Sequence, residues 1–116
     1  MDSNRLIAEF MGLPKVPCNI GTEDGHFNEG YKHPKVDVPV IPSGMQYRYS
    51  WDWLMPVIEK IETLGYTFEK NYQPIEEDWQ SLIVKGEDIL YQEFDPESIK
   101  ASYYVVCKLI TDIIKT

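Results

Sequence analysis

Residues 47–65, YRYSWDWLMPVIEKIETLG, carry capping, periodicity, aromatic content and a stop signal in one place, and the rest of the chain is read outward from them. Ser50 stands at an N-cap position, where its hydroxyl can accept a backbone N–H of the first turn. Asp52 follows in that turn, where negative charge complements the positive end of the helix dipole. Leu54, Val57, Ile58, Ile61 and Leu64 recur at spacings of three and four and form one apolar stripe. Glu59, Lys60, Glu62 and Thr63 take the opposite side, and Gly65 ends the run as a left-handed C-terminal residue would. Pro56 conflicts with this pattern, because it cannot donate to the carbonyl four residues back and its ring crowds that carbonyl. Since the stripe already includes Leu54, the expectation is a kink or a tightened first turn rather than a late start.

Residues 95–115 read as a second amphipathic helix. Asp95 is its expected cap, Pro96 suits the first helical position, and Glu97 suits the dipole. Ile99, Tyr103, Val106, Ile110, Ile113 and Ile114 form the expected core stripe, with Lys108 and Lys115 nearer the negative end. Between the helices, Tyr66–Glu69 alternates as a strand. Trp79–Val84 and Ile89–Phe94 read as a hairpin across the turn Lys85-Gly86-Glu87-Asp88. Leu82, Ile83 and Val84 are contiguous in the first arm, which fits a strand either buried on both faces or lying centrally.

Towards the N-terminus, Ser3 or Asn4 is positioned to cap a short helix carrying Leu6, Ile7, Phe10 and Met11, stopped by Gly12 and Pro14. From 13 to 46 the chain is proline-rich and irregular, with Pro14, Pro17, Pro34, Pro39 and Pro42 set among four glycines. A short strand is expected from His26-Phe27 to Tyr31. Val36, Val38 and Val40 suggest an extended edge strand, since Pro39 excludes a central one. The expected fold is α+β: an antiparallel sheet of about three or four strands packed with three helices, in a single domain over 1–116.

The run NRLIAEFMG (4–12) followed by SWDWLMPVIEKIE (50–62) resembles an uncharacterised family of small phage and prophage proteins of the Bacteroidetes. The layout is also similar to the phage α-β-α sandwich domain. The likeness covers 4–12 and 47–65 closely and 97–115 in pattern. It implies a phage or prophage accessory protein and brings no catalytic residues with it. The proline-rich 13–46 departs from the family pattern.

A net charge of −8 on 116 residues argues against general nucleic-acid binding and against docking on anionic membranes. Nine acids between Glu69 and Glu97 face only Lys70 and Lys85, which reads as a solvated face or as a patch for a basic partner. Cys18 and Cys107 sit in unrelated contexts, and no secretory leader or membrane-length apolar run is seen, so a reduced, cytoplasmic protein is expected. Cys18, His26 and His33, with Asp24 and Glu29 between them, lack metal-ligand spacing. There is no nucleophile elbow, P-loop or dinucleotide fingerprint, and no cofactor, metal or catalytic set is expected.

The remaining oddity is aromatic. Read as extended chain, Tyr47 and Tyr49 share one side with Arg48 opposite, and Trp51 and Trp53 continue the alternation. These residues either pack on the sheet or form a stacking cleft with Arg48 as its anion-binding group. The candidate ligand-binding residues are thus Tyr47, Arg48, Tyr49, Trp51 and Trp53. The leading expectation is a non-enzymatic binding module for a host protein. A binder of a nucleotide-like small molecule is the alternative, and an exposed tryptophan or open sheet edge also fits a homodimer.

Overall fold

The computed structural model describes residues 3–18 and 28–115. The chain gathers into two compact units, residues 1–45 and 46–116. The class is α+β, with three helices and two antiparallel sheets.

In the first unit, α1 (Ser3–Phe10) buries Leu6, Ile7 and Ala8. Asn4 lies within it, and its side-chain amide donates to the Pro42 carbonyl at 2.8 Å. The helix ends in a Schellman turn: Gly12 takes φ +70°, its N–H bonds the Glu9 carbonyl at 3.1 Å, and the Leu13 N–H bonds the Ala8 carbonyl at 3.1 Å. β1 (Lys15–Cys18) then pairs antiparallel with β2 (Asn28–Tyr31), Lys15 lying opposite Tyr31. Of the strand expected from His26, the part over 28–31 forms, and residues 26 and 27 lie outside the described residues. The edge strand expected over Val36–Val40 does not form. Only Val40 pairs, exchanging both backbone bonds with Tyr31, while a turn closed by Val36 N–H to the His33 carbonyl occupies the residues before it. Pro39 supplies no N–H to extend the ladder. A 3-10 turn over Pro42–Gly44 completes the unit.

In the second unit, α2 (Trp51–Thr63) runs through Pro56 and buries Trp53, Leu54, Val57, Ile58 and Ile61. Its first turn is tightened: the Ser50 carbonyl accepts from both Trp53 and Leu54 N–H, at 3.1 and 3.0 Å. Ser50 has N-cap backbone geometry, but its hydroxyl makes no capping bond, contrary to the expectation. Leu64 is exposed and drops out of the stripe; Gly65, at φ +98°, turns the chain out of the helix.

β3 (Thr67–Gln73), β4 (Asp78–Lys85) and β5 (Asp88–Asp95) form an antiparallel sheet with β4 in the centre. Gly86, at φ +64°, opens the two-residue β4–β5 loop, a position where glycine carries no steric penalty. α3 (Ser98–Lys115) starts later than expected. Asp95 is the last residue of β5, and its carboxylate accepts the Glu97 N–H at 2.9 Å, so the cap operates one turn ahead of the helix. The buried face of α3 is also wider than the stripe, taking in Ala101, Ser102, Val105, Cys107 and Leu109 and leaving Ile114 exposed.

Register fixes which sheet face α3 covers. Ser81, Glu93 and Tyr91 share a face, and each meets α3: Ser81 Oγ lies 2.9 Å from Ser102 Oγ, Glu93 pairs with Lys108, and the Tyr91 hydroxyl bonds Asp112. Trp51 of α2 meets the same face, its ring 4.4 Å from the Lys70 ammonium. Both helices of this unit therefore lie on one side of the sheet.

Candidate functional site

The five aromatic and cationic residues singled out in the sequence do not form one cleft. The segment before α2 is a turn, closed by Tyr49 and Ser50 N–H to the Gln46 carbonyl at 3.1 and 2.9 Å, and the expected strand-like alternation is lost. Tyr47 is only 1% exposed and Trp53 only 9%. Their rings meet edge to face at 5.3 Å and 85°, a core contact that shows no ring face to a ligand. Trp51 joins Trp79 around the Lys70 ammonium. Arg48 turns to α3, donating from Nη2 to the Tyr104 hydroxyl at 2.6 Å beside the exposed Tyr49. Among the described residues Arg48 has no carboxylate partner, and its Nε is buried without a bond.

Two phenols are held protonated well beyond their usual range. Burial raises the Tyr47 pKa from 10.0 to about 12. The hydrogen bond to Asp112 does most to raise that of Tyr91, also to about 12. A folded-state pKa above the unfolded value contributes stability that is complete below pH 10 and is lost as pH rises towards 12. Phenolate absorbance should therefore show the two lagging behind the exposed tyrosines, and stability should fall across that interval. The fall should be shallower in Tyr47→Phe.

The sheet face turned away from the helices has a different character. Thr67, Glu69 and Asn71 of β3 and Gln92 of β5 are exposed on it, and Gln80 bonds Gln92 across the strands at 2.9 Å. Beside them runs an apolar strip, interrupted on β5 by Gln92. Val84 pairs with Ile89, a bulge between Ile83 and Val84 brings Leu90 alongside, and Phe94 lies opposite Gln80. Ile89, Leu90 and Phe94 are 57%, 43% and 50% exposed. Acids bracket the strip, Glu87 and Asp88 at the β4–β5 turn and Glu76 and Glu77 at the β3–β4 turn, with Glu69 on the flank. None of these five forms an ion pair with a described cation.

Two cavities among the described residues are also of note. One of 260 Å³ lies where β5 meets α3, lined by Tyr91, Cys107, Lys108, Thr111 and Asp112. Its charged groups are engaged, Lys108 with Glu93 and Asp112 with Tyr91. The other, of 410 Å³, lies in the first unit at the end of the β1–β2 pair and includes His33 in its lining.

Comparison with protein-family models, with curated proteins and with solved structures gives no match. No group of three or more His, Cys, Asp or Glu among the described residues could hold a metal ion. Asp24 and His26 lie outside the described residues, and His33 accepts the Lys35 N–H on Nδ1 at 3.1 Å. No described helix is long and apolar enough to cross a membrane. The strip on the outer sheet face carried no site signal in the sequence, because Ile89-Leu90 and Phe94, separated by Tyr91-Gln92-Glu93, read only as one arm of a hairpin. The bulge that sets Leu90 beside Ile89 left no sequence signal.

Proposed function

We propose that this chain is a phage or prophage accessory protein that works by binding another protein, using the outer face of the β3–β5 sheet. The observation that carries the reading is the exposed strip of Ile89, Leu90 and Phe94, bracketed at both ends by acids that have no cationic partner among the described residues. Large apolar side chains clustered within a polar rim are the usual composition of an interface centre. The rim defines the partner's chemistry: an amphipathic segment with an apolar stripe and lysine or arginine at both ends. The resemblance of 4–12 and 50–62 to the phage family supports a partner in the host cell.

The test uses a synthetic amphipathic helix of leucine and lysine, titrated against the intact protein. Binding should saturate and weaken as salt rises, because the rim charges are exposed and screened. Replacing Phe94 and Ile89 together by serine should weaken it by roughly tenfold or more, and Glu87→Lys with Asp88→Lys should remove most of the salt dependence. Equal binding by wild type and both variants would discard this face. Wild-type protein that elutes as a dimer, with the serine variant a monomer, would reassign the strip to self-association. In host lysate, the informative partner is one recovered by wild type and lost to the serine variant.

A further inference from the structure

The 410 Å³ cavity of the first unit lies outside that reading, and its size is that of a small-molecule site. Local chemistry builds it. The Lys32 N–H bonds the Pro14 carbonyl at 2.9 Å, which holds Leu13 and Pro14 beside the end of β2. The turn closed by Val36 N–H to the His33 carbonyl at 3.1 Å then brings Pro34, Val36 and Asp37 around the opening. The lining is Leu13, Pro14, Lys32, His33, Pro34, Val36 and Asp37. Two of its apolar walls are prolines, whose fixed φ leaves little backbone freedom to lose on binding.

His33 is buried, and its ring is held by the Lys35 N–H on Nδ1. Burial, and then the charge of Lys35, lowers its pKa, so the imidazole is neutral at neutral pH and acts as wall rather than as charge. That leaves Lys32 and Asp37 as the charged groups of the lining. They have opposite signs, both are exposed, and they pair neither with each other nor with any other described residue. Opposite charges that line one cavity without meeting leave a gap for a ligand carrying both complementary charges.

We infer that this cavity binds a small zwitterion with an apolar body, of the amino-acid type. Its carboxylate faces Lys32, its ammonium faces Asp37, and its side chain lies against Leu13, Pro14, Pro34 and Val36. The site is independent of the sheet face proposed above and uses none of its residues.

The probes are phenylalanine, 3-phenylpropionate (no ammonium) and phenethylamine (no carboxylate), titrated into the whole chain by calorimetry or NMR shift. Phenylalanine should bind tightest, with each truncated probe weaker by about tenfold, the usual worth of one charge-assisted contact. Lys32→Ala and Asp37→Ala alter exposed side chains that pair with no other described residue, so both variants should fold normally. Each should weaken phenylalanine by about the same factor. The decisive arm is the crossed one: Asp37→Ala should leave 3-phenylpropionate unaffected, and Lys32→Ala should leave phenethylamine unaffected. Absence of saturable phenylalanine binding, equal binding of all three probes, or phenylalanine binding insensitive to both variants would each overturn the assignment.

Discussion

Trp53→Ala should destabilise the protein by about 3–5 kcal/mol, the range for truncating a large aromatic in a core. Trp53 belongs to α2 but does its packing against the turn that precedes the helix, edge to face on Tyr47 at 5.3 Å. Removing the indole leaves a cavity beside a phenol that is itself almost fully buried. It also forfeits the aromatic pair, worth about 0.5–1.5 kcal/mol beyond the buried area. Alanine's better helix propensity returns only a few tenths of a kcal/mol, too little to change the sign. Urea denaturation measures the loss, and Trp53→Phe should recover much of it. Tyr49→Ala is the control: its ring is exposed, and its removal should stay within about 0.5 kcal/mol. A Trp53→Ala protein as stable as wild type would mean that the indole lines an open cleft after all.

That contrast marks where the sequence was legible. α2, β4, β5 and α3 are specified by neighbours three, four or two residues apart, and the glycines that end α1 and α2 or open the β4–β5 loop need only a positive φ. The segment around Arg48 departs from the extended-chain expectation because alternation is a property of extended chain. The two bonds to the Gln46 carbonyl make that chain a turn, which sends Tyr47 inward, Tyr49 outward and Arg48 to Tyr104. Val36–Val40 failed for a similar reason: β-branched residues favour a strand, but the turn at His33–Val36 and the missing Pro39 N–H leave a single paired residue. The cavity around His33 carried no signal in sequence. Leu13 and Pro14 meet Lys32 through a backbone bond across the strand pair, and no local spacing encodes that.

The two faces of the central sheet make opposite predictions one strand apart. Ile83 is fully buried at the middle of β4, on the face that Ser81 shares with α3 through Ser102. Ile83→Ala should cost about 2–5 kcal/mol, part of it the lost transfer of the side chain and part the cavity left behind. The lower strand propensity of alanine adds up to about 1 kcal/mol at such a site. Phe94→Ser, on the outer face, removes a half-exposed ring and should cost about 1 kcal/mol or less. Docking of the leucine–lysine helix should respond in the reverse order. Ile83→Ala touches nothing on the outer face, so its affinity should equal that of wild type wherever the variant is fully folded, and should fall only as the folded fraction falls. Phe94→Ser should lose affinity while fully folded. Measuring both variants by denaturation and by peptide titration at one temperature separates support of the sheet from contact with the partner. Loss of peptide affinity by folded Ile83→Ala would place the binding surface on the helix-covered side.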